Sequence, residues 1–357
     1  MRTESQALVL IAGFAVALSG CGKADAAPVP ADDSSKLVVP DRPKDLLQAT
    51  EHYGPLSVRE GDTDVVQADT RPWSSYWYPY ASDLLVAASS RNGGQATLDK
   101  YDKYSAAVFG KKSVAVAEES RSGLYNARAE KWEGHCGSWS IASVLEAEPA
   151  LPKQGVPVSG VTFYTRDVKA LMIKSYETLD NSQFNYFGQN NQDEAEDGQS
   201  IYPDQFHRVL QAELFEKHRP FIMNEDHEGQ VWNTPVWEAE STMAPDAGDP
   251  HLMHVHTLVQ GAQSDLVTPD YAGPSQDTTY EYFYDLYGTV QADGTFLVVY
   301  GKWTGKSIKA HPGFVMALPP QGVKVRHASA NKEVDSQVLL DIFAKTGAFN
   351  HPGGWIP

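Results

Sequence analysis

Two cysteines occur in the 357 residues, Cys21 and Cys136, and the second has neighbours suited to covalent chemistry. It stands in Trp132-Glu133-Gly134-His135-Cys136-Gly137-Ser138-Trp139-Ser140-Ile141-Ala142. This is a polar, glycine-flanked turn running into a segment with Trp139, Ala142 and Leu145 at helical spacing. That pattern places Cys136 at a helix N-terminus. Backbone N–H groups without intrahelical acceptors and the positive end of the macrodipole collect there, and both favour a thiolate and a developing oxyanion. A lowered thiol pKa is therefore expected of Cys136. The plain alternative is that Cys136 is a small buried hydrophobe, as isolated cysteines commonly are.

Cys21 has a different setting. Residues 7–18 form an uncharged apolar run, too short to span a bilayer comfortably and placed where export signals sit. Leu18-Ser19-Gly20-Cys21 follows with the small-residue pattern of a bacterial lipobox, so Cys21 is the expected lipidation site. Membrane attachment through that lipid, at the outer membrane or cell surface, is the expected localisation. Lipidation of Cys21 would leave Cys136 with no disulfide partner in an exported, oxidising setting.

Imidazoles are the other candidates. His135 adjoins the nucleophile but points away from it on adjacent-residue geometry. His254 and His256 share one face of a strand expected over residues 252–259, where a base or a zinc clamp is conceivable. His251 and His311 complete the set. No carboxylate or cysteine stands at a spacing that would complete a metal site, so neither a metal nor another cofactor is expected, and a need for calcium is left open. A formal net charge of −17 argues against nucleic acid, because phosphate binding needs a basic face.

The turn around Cys136 resembles the W-x-G-x-C-x-x-W-x-x-A signature of the elicitor transglutaminases of oomycete plant pathogens. Val231-Trp232-Asn233-Thr234-Pro235-Val236 is similar to that family's V-W-N-Q-P-V, the surface peptide recognised by plants, with Thr234 as the departure. Weaker similarities bring the coverage to roughly residues 73–318. The resemblance implies a protein-glutamine γ-glutamyltransferase: a Cys136 thiolate attacks a glutamine carboxamide, ammonia leaves, and a lysine amine resolves the thioester. Its partners would be proteins offering glutamine and lysine side chains. The family pattern also implies that His207, in Phe206-His207-Arg208-Val209-Leu210, is the base. Asn224 then stands where the family has aspartate, with Asp226 two residues on as the other candidate to orient the ring. A protease or amidase using the same residues, and a surface binding protein that keeps the scaffold without catalysis, both stay open.

The elements that must hold these residues are partly legible. Val168, Leu171, Met172 and Ser175 make one helical stripe after a cap at Thr165 or Asp167. Residues 278–287 and 295–303 flank a turn at Asp293-Gly294, the signal of a β-hairpin, and residues 338–344 read as a last helix. The expected class is α+β, papain-like or transglutaminase-like, with helices packed on a mainly antiparallel sheet. The expected division is a signal peptide over 1–20, a Pro- and Asp-rich tether over 21–45, an N-terminal helical segment over 46–130, a catalytic core over 131–320 and a tail over 321–357.

Overall fold

The computed structural model describes residues 37–88, 94–178, 184–189, 200–225, 230–265, 267–320 and 328–348. Cys21 and Asp226 fall outside these. In chain order the elements are α1 (Gln48–Tyr53), β1 (Ser57–Val58), β2 (Gly61–Asp62), β3 (Val66–Gln67), α2 (Thr97–Phe109), α3 (Ala115–Arg121), α4 (Cys136–Leu145), β4 (Val156–Val158) and β5 (Val161–Phe163). They continue with α5 (Thr165–Ser175), β6 (Asn185–Gly188), α6 (Pro203–Val209), β7 (Phe221–Asn224), β8 (Asn233–Pro245), β9 (Leu252–Ala262), β10 (Asp277–Val290), β11 (Phe296–Trp303), β12 (Phe314–Ala317) and α7 (Ser336–Thr346).

A curled antiparallel sheet runs in the order β1-β11-β10-β9-β8-β7-β12-β6, with β2 and β3 adding to β8. The α+β class is as expected, and so is the β10–β11 hairpin, which is in antiparallel register from Tyr284↔Trp303 to Val290↔Phe296. Side chains alternate across a strand, and the alternation sorts the sheet into two faces. On β7, Phe221 and Met223 join a core with Phe206, Val209, Val236, Tyr282 and Tyr284. Ile222 joins the other core, with Leu98, Tyr101, Trp139, Leu171, Val338 and Phe343. One face thus carries α2, α4, α5 and α7, and the other carries α1 and α6.

The helical layer is tied by buried ions. Lys174 on α5 reaches Glu119 at 2.6 Å and Glu177 at 2.5 Å, while Lys100 on α2 reaches Asp167 at 2.5 Å. Asp167 also accepts the Tyr164 N–H at 2.9 Å, which caps α5; a carboxylate in the first turn suits the helix dipole. Removing one partner of such a pair strands a desolvated charge, so these contacts fix the mutual placement of α2, α3 and α5.

Two expected boundaries are corrected. Residues 46–130 are not only helical, because β1 pairs with β11 and β2 and β3 pair with β8. Two-residue strands carry too little alternation to be read from sequence. The tail is no appendage either: α7 buries Val338, Leu339, Ile342 and Phe343 in the helical core, and the described residues from 37 to 348 cluster as one unit.

Candidate active site

Residues 73–80 run along α4 and grip it at three points. The Trp73 indole donates to Glu146 O at the far end (2.9 Å), the Trp139 indole donates to Trp73 O in the middle (3.1 Å), and the His135 N–H donates to Trp77 O at the near end (2.8 Å). Gly134 forms an isolated bridge with Pro79. A Cβ there would lie 2.8 Å from the Trp77 ring and 2.9 Å from Pro79 Cα, so only glycine lets the chain approach this closely. The turn delivers Cys136 to the first position of α4, as its spacing predicts.

Opposite Cys136 stands the segment Val231-Trp232, which leads into β8 at Asn233. The thiol donates to Val231 O at 3.4 Å, and Asn233 Nδ2 lies 3.7 Å from Sγ. Trp232 meets Trp77 edge to face, with centroids 5.8 Å apart. Cys136 is 6% exposed. The expected depression of its pKa is corrected: burial pushes the thiol above its ordinary range, and the N–H and side-chain amide of Asn233 and the Gly137 N–H offset this only in part. The Glu225 carboxylate adds to the rise. Desolvation of a charge outweighs a few long hydrogen bonds here.

The sheet does not bring His207 to Cys136, and the expected pairing is corrected. His207 on α6 belongs to the opposite face, where Nδ1 meets Tyr284 OH at 2.6 Å. From there a chain of hydroxyls runs through Thr257 (2.7 Å) to Ser241 (2.8 Å). Ser241 is eight residues beyond Asn233 on β8, on the order of 25 Å along the strand at about 3.3 Å per residue. Full burial brings the His207 imidazole down to about 4, so it stands neutral and lines a cleft of about 300 Å³ with Ser57, Thr63, Gln211 and Met243. A Phe-His pair in a helix reveals its spacing but not which face of the sheet the helix covers.

Asn224 does lie on the Cys136 face. It is fully buried and registers opposite Asn233 across β7 and β8. Asp226, the alternative orienting group, lies outside the described residues. His135 turns away from the thiol, with Nδ1 3.1 Å from Glu177 and its ring edge on Tyr80. His254 lies between Asp285 (2.7 Å) and Asp246 (3.1 Å), and His256 stacks on Phe283 while reaching Glu281 at 2.8 Å. His251 and His311 hold the carbonyls of Gly288 (2.9 Å) and Ser307 (2.8 Å). Among the described residues, no imidazole is within hydrogen-bond distance of Sγ.

Among the described residues, Glu119, His135 and Glu177 are the group whose ligand atoms all lie within 4.8 Å of one another, as a metal would require. The Lys174 ammonium already contacts both carboxylates, so the cation's place is filled by the chain itself. Asn233, the side chain that meets the sulfur, is not among the residues the sequence singles out. It stood inside the hexamer that carries the resemblance, but its contact with Cys136 depends on β8 lying across the start of α4. The hexamer itself is not a free surface peptide in this chain: Val231, Trp232 and Asn233 are half-buried, and Thr234, Pro235 and Val236 are buried.

Residues 110–246, which span all of these strand and helix positions from Cys136 to Asn233, match the family model of the transglutaminase elicitors. No curated protein matches the chain. The crystal structure of the GP42 transglutaminase from Phytophthora sojae shares the fold, with a TM-score of 0.60 and 17% sequence identity over 86% of this chain and 98% of that one.

Proposed function

We propose, from the premise that over residues 110–246 this chain belongs to the transglutaminase elicitor family, that it is a protein-glutamine γ-glutamyltransferase working through a thioester on Cys136. The observation that carries the reading is the Cys136 thiol at the first position of α4, facing the Asn233 amide. The sulfur attacks a glutamine side-chain carbonyl carbon, forming the C–S bond while the carbonyl π electrons move to oxygen. When the C=O re-forms, the C–N bond breaks and ammonia departs with the thiol proton. A primary amine then adds to the thioester, the C–S bond breaks, and the amine's proton returns to sulfur, leaving an isopeptide and free enzyme. His207 is not assigned as the base, because the sheet stands between it and Sγ.

One observation favours a second reading, a binding protein on the same scaffold: the thiol is almost fully buried and donates to Val231 O. Incubation with a fluorescent primary amine and a glutamine-rich protein separates the two. The wild-type chain should incorporate the amine, and Cys136→Ala should lose incorporation while staying folded, its melting temperature lowered by only a few degrees for the loss of one buried sulfur. Turnover retained in Cys136→Ala would overturn the nucleophile. Ammonia release without amine incorporation would mean hydrolysis, and a folded wild-type chain that does neither would favour the binding reading.

A further inference from the structure

A nucleophile of this kind needs hydrogen-bond donors aimed at the oxygen that becomes negative, fixed in place before the reaction begins. The start of α4 offers some of them, because the first N–H groups of a helix have no intrahelical acceptor. The strand opposite offers another. Asn233 Nδ2 lies 3.7 Å from Cys136 Sγ and would lie 3.5 Å from a Cβ built on Gly137, so the amide rests over the first turn of the helix beside the sulfur. It sits on a strand, not a loop. Asn233 registers opposite buried Asn224, and Pro235, next on the same face, pairs with Ile222. The amide's orientation has a physical reason: turned over, its carbonyl oxygen would oppose the lone pairs of sulfur.

We propose that Asn233 is a catalytic residue of this site, its side-chain amide donating to the Cys136 sulfur at rest and, with the N–H groups opening α4, to the carbonyl oxygen when that oxygen becomes an oxyanion. The inference rests on the acyl-transfer reading above. As sulfur bonds to the carboxamide carbon, the former carbonyl oxygen takes up the π electron pair within reach of Nδ2–H. It returns that pair when the C–N bond breaks. The arrangement is complete before substrate arrives, so no donor has to reorganise during the step.

The test uses Asn233→Leu, which keeps the volume without a donor, and Asn233→Asp, which keeps the shape and is the control should the apolar variant fail to fold. Two quantities are read: kcat and KM for amine incorporation, and the pH midpoint for alkylation of Cys136 by iodoacetamide. Titratable neighbours of the sulfur are Glu225 at the end of β7 and Tyr80 on the segment gripping α4; neither is altered. Loss of the donor should lower kcat about 10²- to 10³-fold, the usual effect of removing one oxyanion donor, with KM within a few-fold. The alkylation midpoint should rise in both variants, and further in Asn233→Asp, whose carboxylate repels a thiolate. Variants with near wild-type kcat and an unshifted midpoint overturn the proposal, as does a defect confined to KM. Should the wild-type chain transfer no acyl group, the acyl-transfer reading fails and the midpoint alone judges the amide: unshifted in both variants, it overturns the contact, and raised, it supports it.

Discussion

At the scale of single residues, the site is governed by a competition between desolvation and hydrogen bonding at one sulfur. The helix terminus, the Asn233 amide and N–H, and the Gly137 N–H all favour the thiolate, yet burial prevails and raises the Cys136 pKa, with Glu225 acting in the same direction. The consequence for pH follows directly. A raised pKa keeps the thiol neutral to a higher pH than a free cysteine, whose midpoint is near 8.5, so reactivity should climb later as pH rises. Alkylation of native Cys136 by iodoacetamide is expected to show a midpoint above that of a free cysteine in the same buffer. A midpoint at or below the free value would mean that the donors outweigh burial. The residue types around Cys136 are plain in the sequence, but the sign of this shift is not, because desolvation is a property of what packs over the sulfur.

At the scale of elements, α6 carries a second titratable group whose setting has a different outcome. His207 is fully buried with its Nδ1 on Tyr284, and its pKa is brought down to about 4 from 6.5 by burial first, with the Arg208 charge adding to it. A folded pKa below the unfolded one means that the unfolded chain takes up the proton first as pH falls. The His207 contribution to stability is therefore intact above about pH 6.5, declines between about 6.5 and 4, and is flat below. The gap between those two values corresponds to roughly 3 kcal/mol. Urea unfolding of wild type and His207→Gln across pH 7 to 4 isolates it, since the carboxylates contribute alike to both proteins. The wild-type chain should lose about 3 kcal/mol more than the variant over that window. Parallel curves would show that His207 is solvated in the folded state. This element also explains why the expected triad did not assemble: α6 packs with Phe206 against Tyr282, Tyr284 and Trp303, which turns its imidazole to the face away from α4.

At the scale of the whole molecule, the two ends of the chain complete structures begun elsewhere. The N-terminal strands add to β8 and β11, and α7 closes the helical core. Val338, Leu339, Ile342 and Phe343 are at most 1% exposed. At roughly 1.5 to 3 kcal/mol for each buried side chain, their loss rivals the entire stability of an ordinary domain. A chain ended after Val334 should therefore lose its cooperative thermal transition in calorimetry, whereas an unchanged transition would make the tail a separate unit. The sequence by itself determined the elements whose signals are local. These were the helix opening at Cys136, the stripe of α5, the turn at Asp293-Gly294 between β10 and β11, and the helix α7. Periodicity reports which residues of one element share a side, and that is enough for each of these. It does not report which side of a sheet a helix covers. The tertiary structure alone decided that β8 would lay Asn233 against Cys136, that Asn224 would be buried on the same face, and that His207 would stand across the sheet. Those outcomes depend on strand order and on how the sheet, ten strands among the described residues, curls around α6, contacts made between residues far apart in the chain.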